Sequence, residues 1–167
     1  VRAAARDPEL FKKMMKGHSE EENLAMKKMI MDVPDVTPDV INLLADNPDQ
    51  ELVYSIASNE RSPAEALDKI VTIALKKHSY QIVNAAANST NMRPETLRML
   101  AGALPSNYMN VVAKHPNTPA DVLLDMSQSD NIYALRGLVF NLNLTTEMIE
   151  NILNYRDPSQ ITTLEML

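Results

Sequence analysis

The sequence predicts an all-α fold, a helical solenoid of about five to six repeats, each roughly 25–31 residues long. Three observations predict it. Helix-start signals recur at near-even spacing, short apolar runs of helical period lie between them, and the composition suits helix packing. Gly occurs only three times, aromatics make up 4% and Trp is absent, in a chain whose 45% apolar content is mostly aliphatic.

The junction His115-Pro116-Asn117-Thr118-Pro119 separates the apolar runs 109–113 and 122–126. Proline fits the first helical position, where its missing N–H costs nothing. Thr118 is placed to cap the helix, and Asp121 three residues later completes a capping-box pattern. Ser62-Pro63-Ala64-Glu65 has the same spacing. Thr37-Pro38-Asp39 and Asp7-Pro8-Glu9 keep the cap, the proline and an early acid. Arg93-Pro94-Glu95 lacks a capping side chain, and Leu144-Thr145-Thr146-Glu147 lacks the proline. Pro8, Pro38, Pro63, Pro94, Pro119 and Thr145, taken as anchors, recur at near-even intervals. The steps from Pro8 to Pro38 and from Pro63 to Pro94 are somewhat longer than the rest.

A second column precedes these anchors: Asp32, Asn59, Asn88, His115 and Asn141. Three residues before each stand Met29, Ile56, Ala85, Val112 and Leu138, and six before stand Met26, Val53, Ile82, Met109 and Leu135. That spacing marks one face of a short second helix. Asn tolerates the left-handed backbone that ends a helix, and its amide can bond neighbouring backbone. The column therefore reads as structural, with a ligand-binding polar ladder as its alternative.

In chain order, residues 1–17 read as a helix entered at Asp7-Pro8 and ended near Gly17, and 18–22 as a polar link. Further helices are expected over 23–31, 38–46, 51–58, 64–77, 80–87, 94–103, 108–114, 120–127, 132–140 and 146–154. Residues 1–31 form an N-terminal capping repeat and 156–167 a C-terminal tail of one domain, 1–167. Five of the eleven Met residues (Met14, Met15, Met26, Met29, Met31) lie in the first of these segments. They suit a loosely specified core, or an adaptable binding surface.

No apolar run reaches membrane-spanning length and no secretory signal pattern opens the chain, so a soluble, cytoplasmic protein is expected. The absence of Cys excludes disulfides and Cys-ligated metal sites. A net charge of −6 argues against a broad phosphate-binding surface. The charge is uneven: residues 67–115 hold six basic groups (Lys69, Lys76, Lys77, Arg93, Arg98, Lys114) and two acidic ones. This block is the candidate nucleic-acid site of an alternative reading.

Signals for catalysis are absent. The three His residues show no helical metal-site spacing, and no GxSxG, Walker or GxGxxG motif occurs. No catalytic residue, metal ligand or cofactor is assigned, and the chain is not read as an enzyme. A site assembled between repeats is the one catalytic alternative.

The stretch His115-Pro116-Asn117-Thr118-Pro119-Ala120-Asp121-Val122-Leu123, preceded by Val111-Val112-Ala113, resembles the leucine-rich repeat variant family. The junctions at Asn59 and Asn141 resemble it more loosely, over roughly residues 23–155, and the longer repeat length is also HEAT-like. The resemblance implies a right-handed α-α superhelix of alternating longer and shorter helices, the shorter partly 3₁₀, and it implies no chemistry. Repeat arrays act through extended faces of equivalent positions. The candidate partner-binding face is Lys27, Tyr54, Asn110 and Arg136, in a column that also contains Val83. The expected function is protein–protein interaction or scaffolding with an unidentified protein partner.

Overall fold

The structure is a computed structural model and describes residues 1–154. Those residues contain eleven α-helices, a 3₁₀ turn and no strand, so the chain is all-α. The helices are α1 (Pro8–Met14), α2 (Glu20–Met31), α3 (Pro38–Leu44), α4 (Gln50–Ser58), α5 (Ala64–Lys76), α6 (Tyr80–Ala86), α7 (Pro94–Ala103), α8 (Met109–Ala113), α9 (Ala120–Ser127), α10 (Ile132–Leu138) and α11 (Thr146–Leu153). The 3₁₀ turn Ser106–Tyr108 leads into α8. The expected tail, 156–167, lies outside the described residues.

Two segments start differently from the sequence reading. Residues 2–6 are turns rather than helix, closed by an Ala5 N–H to Val1 carbonyl bond of 3.0 Å. Helix α2 begins at Glu20, inside the stretch expected to be a polar link. Ser19 and Glu22 form a reciprocal capping box there: the Ser19 hydroxyl accepts from the Glu22 N–H at 3.2 Å, and the Glu22 carboxylate accepts from the Ser19 N–H at 2.8 Å.

Helices α3, α5, α7, α9 and α11 start at Pro38, Ala64, Pro94, Ala120 and Thr146, an even step except for the longer one between α5 and α7. This spacing differs from that of the proline anchors because proline plays two parts. Pro8, Pro38 and Pro94 occupy the first helical turn, whereas Pro63 and Pro119 are the residues just before their helices. Ser62 and Thr118 therefore lie one place too far out to cap. Their buried hydroxyls instead donate backwards, Ser62 to the Ile56 carbonyl and Thr118 to the Val112 carbonyl, each at 2.6 Å. Those carbonyls belong to the last turns of α4 and α8, where backbone acceptors lack helical partners. The expected capping boxes at Ser62 and Thr118 are thus replaced by C-terminal bonds to the preceding helix. Thr37 makes no side-chain cap bond, while Asp7 and Thr145 do cap α1 and α11.

The junction register shifts with the helices. Val33, Asn59, Ser89, His115 and Asn141 each donate a backbone N–H to the carbonyl three residues back. Ile30, Ile56, Ala86, Val112 and Leu138 are those carbonyl residues, and all are fully buried. Asp32 and Asn88, expected in this column, are one residue early and exposed. Met29, expected in the core face, is 47% exposed for the same reason.

The chain divides into two compact units, Val1–Met92 and Arg93–Leu167. In the first, α2 packs on α4 and α4 on α6, while α1 packs on α3 and α3 on α5. Its core contains Ile30, Ile41, Leu44, Leu52, Ile56, Leu67 and Ile70. In the second, α8 packs on α10 and α9 on α11, with α7 against α8 and α9 against α10. Its core contains Leu97, Leu100, Val112, Leu123, Leu135 and Leu138. Burying each such side chain contributes about 1.5–3 kcal/mol, far more than any cap. At the N-terminus, Ala4 and Ala5 are fully buried, the Ala5 carbonyl accepts from the Thr37 N–H at 2.9 Å, and Arg6 pairs with Asp35. Of the clustered methionines, Met31 is buried, Met14, Met15 and Met26 are half-buried, and Met29 is exposed.

Candidate interaction surface

Junction residues carry amide bonds from one loop to an earlier one. Asn91 Nδ2 donates to the Ser62 carbonyl at 3.0 Å. Asn141 Nδ2 donates to the Ala113 and His115 carbonyls at 2.7 and 2.9 Å, and Asn143 Nδ2 to the Pro116 carbonyl at 2.7 Å. The junction side chains also brace their own loops. Asn59 Oδ1 accepts from the Arg61 N–H at 2.8 Å, His115 Nδ1 from the Asn117 N–H at 3.0 Å, and Asn141 Oδ1 from the Asn143 N–H at 2.9 Å. An accepting Nδ1 leaves the His115 proton on Nε2. The asparagine column therefore holds backbone, and Asn141 and His115 are buried in doing so.

The outer positions of the second helices lie five residues before each junction residue: Lys28, Tyr54, Asn84, Asn110 and Arg136. Tyr54 is 57% exposed, Asn110 and Arg136 are exposed, and Lys28 and Asn84 are half-exposed. Lys27 sits one place away, in register with buried Val53 and Val83. It buries its stem and extends its ammonium group to the Asn47 carbonyl at 3.4 Å and Asp49 at 3.7 Å. Lys28 takes the outer place and pairs with Glu51. In the first unit the outer column is Lys28, Tyr54 and Asn84, and in the second it is Asn110 and Arg136.

The basic block is divided between the units, with Lys69, Lys76 and Lys77 in one and Arg93, Arg98 and Lys114 in the other. Lys69 and Arg98 are engaged by carboxylates. Lys69 meets Asp46 at 2.6 Å, Glu65 at 3.2 Å and the Asn42 side-chain oxygen at 2.9 Å. Partial burial opposes its charge, but the bonds to Asp46 and Glu65 outweigh this and raise its pKa above the ordinary lysine value. Arg98 makes a two-pronged contact with Asp121, with Nη2 at 3.0 Å from Oδ1. That bond holds the Asp121 carboxyl below its usual range. Lys76, Lys77 and Lys114 are exposed.

Three further placements concern chemistry. A cleft of about 410 Å³ in the second unit is lined partly by Arg98, Asp125, Ser129 and Asn131. Arg98 is committed to Asp121, Ser129 donates to the Met126 carbonyl at 2.8 Å, and Asn131 caps α10. The Asn131 cap was readable from an Asn directly before an apolar run. His18 lies 3.7 Å from Glu22, whose carboxyl is held low first by the Ser19 backbone N–H, then by the Ser19 hydroxyl and His18. His78 ends α5 in the left-handed conformation (φ 53°), with its Nδ1 3.1 Å from the Tyr80 hydroxyl.

Among the described residues no helix is long and apolar enough to cross a membrane, and no group of three or more His, Cys, Asp or Glu is placed to hold a metal ion. Comparison with known proteins finds no matching family model, no matching curated protein and no matching solved structure.

Proposed function

We propose that the chain is a helical-repeat interaction module: a right-handed α-α superhelix in the style of the leucine-rich repeat variant and HEAT-like families, acting as a non-enzymatic scaffold for a protein partner. The supporting observation is the contrast between two columns of one register. Three residues before the junction, every side chain is aliphatic and fully buried. Five residues before it, the side chains are Lys28, Tyr54, Asn84, Asn110 and Arg136, partly or largely exposed and chemically diverse. Tyr and Arg supply large contact area and directional bonds at protein interfaces, and Tyr54 is 57% exposed outside any core.

Affinity capture from native lysate, with and without nuclease, tests this reading. The expected result is a protein partner that survives nuclease and is retained about tenfold less by Tyr54→Ala or Arg136→Glu. Retention unchanged in both variants would remove the proposed face. Loss of all partners on nuclease treatment would favour the nucleic-acid reading, with the exposed Lys76, Lys77 and Lys114 as its first candidates and binding that falls steeply with salt.

A further inference from the structure

Four positions of the shared register carry a full polar network in one unit and half of it in the other. Nine and thirteen residues after the junction residue Val33 stand Asn42 and Asp46, in α3 and just after it. Six and ten residues after the next junction residue, Asn59, stand Glu65 and Lys69 on α5. The Lys69 ammonium draws these together, 2.6 Å from Asp46, 2.9 Å from Asn42 and 3.2 Å from Glu65. The same four positions on α7 and α9 are Arg98, Gly102, Asp121 and Asp125. Arg98 pairs with Asp121, with Nη2 3.0 Å from Oδ1. The counterparts of Asp46 and Lys69, however, are Gly102 and Asp125, which have no pair to form. From α9 to α11 those two places hold Gln128 and Asn151, and Asn151 Nδ2 donates to the Ser127 hydroxyl at 3.1 Å.

Nothing among the described residues requires glycine at 102. Its φ is not left-handed, and a methyl group there would meet no neighbouring atom within 4 Å. Gly is also a poorer helix residue than Ala. The open space over Gly102 belongs to the cleft of about 410 Å³, within the size range of ligand sites. Its apolar lining includes Ala101, Met109, Val122 and Met126. Asp125 lines it too, exposed, and among the described residues its carboxylate makes no hydrogen bond or ion pair. Arg98, the one cation lining the cleft among the described residues, is held by Asp121.

We propose that the cleft between α7 and α9 receives a lysine side chain of a protein partner, with its ammonium on Asp125 and its alkyl stem over Gly102 against the apolar lining. The chain supplies its own template in the ammonium of Lys69 on Asp46. An aliphatic stem ending in a cation matches an apolar lining that ends in one unpaired carboxylate, whereas a phosphate would be repelled by it. That the lysine belongs to a protein rests on the interaction-module reading. The test below needs no partner and leaves Tyr54 and Arg136 untouched, so failure of that reading and failure of this one are distinguishable.

The probe is lysine blocked as its Nα-acetyl methylamide, titrated into the full chain and followed in an amide nitrogen–proton correlation spectrum. The chain has three Gly residues, so the Gly102 signal is identified by its loss in Gly102→Ala. The expected result is a saturable shift at Gly102 with a dissociation constant on the order of millimolar. Binding is expected to weaken about tenfold when the probe's ammonium is acetylated and about tenfold in Asp125→Asn. Asp32→Asn, which removes an exposed charge elsewhere, is expected to leave binding unchanged. Gly102→Leu, read at the Met126 amide, is expected to abolish it. No saturable shift at Gly102, equal binding of the acetylated probe, or binding indifferent to Asp125→Asn would each overturn the proposal. Spermidine held more than about a hundredfold more tightly than the probe would assign the cleft to a free polyamine and overturn it as well. A dispersed spectrum in each variant confirms that the fold is retained.

Discussion

Gly137 on α10 passes so close to Asn110 on α8 that a methyl group at Gly137 would lie 2.5 Å from the Asn110 carbonyl oxygen. It would also meet the Asn110 Cα at 2.9 Å and the Ala113 Cβ at 2.7 Å. Because two of these three atoms are backbone, the helices must separate to admit it. Gly137→Ala is therefore expected to destabilise the second unit by about 1–3 kcal/mol, despite the higher helix propensity of Ala. Chemical denaturation checks this, and a stabilised variant would contradict the close approach.

The backward bonds of Ser62 and Thr118 lead to a different expectation from capping. Thr118→Val removes one of two donors from the buried Val112 carbonyl, which keeps the His115 N–H, while retaining the side-chain shape, at an expected cost of about 0.5–1.5 kcal/mol. Thr118→Ser keeps the hydroxyl and is expected to recover most of that loss. If both variants unfold at the wild-type temperature, the bond contributes nothing.

His78 closes α5 with two bonds: its N–H donates to the Leu75 carbonyl at 3.0 Å and the Ser79 N–H to the Ala74 carbonyl at 2.8 Å. This ending requires a left-handed residue, and a side chain there is strained. His78→Gly should raise stability by about 1 kcal/mol, read as a higher unfolding temperature. A lower one would show that the contact with Tyr80 outweighs the strain.

The capping carboxylate of Glu22 sets an acid limit on α2. Its pKa is lowered in the folded chain, chiefly by the Ser19 backbone N–H. Its contribution is therefore complete above the ordinary glutamate pKa and is lost as pH falls through the lower folded value. Amide protection in α2, measured relative to the intrinsic exchange rate at each pH, is expected to fall as pH drops below the ordinary glutamate range. Glu22→Gln should flatten that dependence, and an unchanged pH profile would contradict the assignment.

Much of the fold was legible because aliphatic residues recur at helical spacing within short segments, and the order of helices follows from that alone. The register was one residue off at Asp32 and Asn88 because proline marks a helix start without saying whether it lies inside or before the first turn. Pro38 and Pro94 do the first, and Pro63 and Pro119 the second. That ambiguity also moved Lys27 into the outer column in place of Lys28. The Ser62 and Thr118 bonds were invisible for a related reason: the same hydroxyl suits a cap or a preceding carbonyl, and burial decides between them. The pairings of Lys69 with Asp46 and Arg98 with Asp121 join side chains far apart in sequence and arise only when the helices pack.

The measurement that tests the account most directly compares the unfolding free energies of Asn141→Ala and Asn88→Ala. Both asparagines are candidates for one column by sequence, yet of the two only Asn141 joins two junctions. Asn141 is buried and bonds the Ala113 and His115 carbonyls, whereas Asn88 is exposed and donates to the Asn84 carbonyl in its own repeat. Asn141→Ala should cost about 1–3 kcal/mol, through the buried Ala113 carbonyl left without its donor and the His115 carbonyl left with the Thr118 N–H alone, and Asn88→Ala no more than about 0.5 kcal/mol. Equal losses would contradict the register on which the account rests.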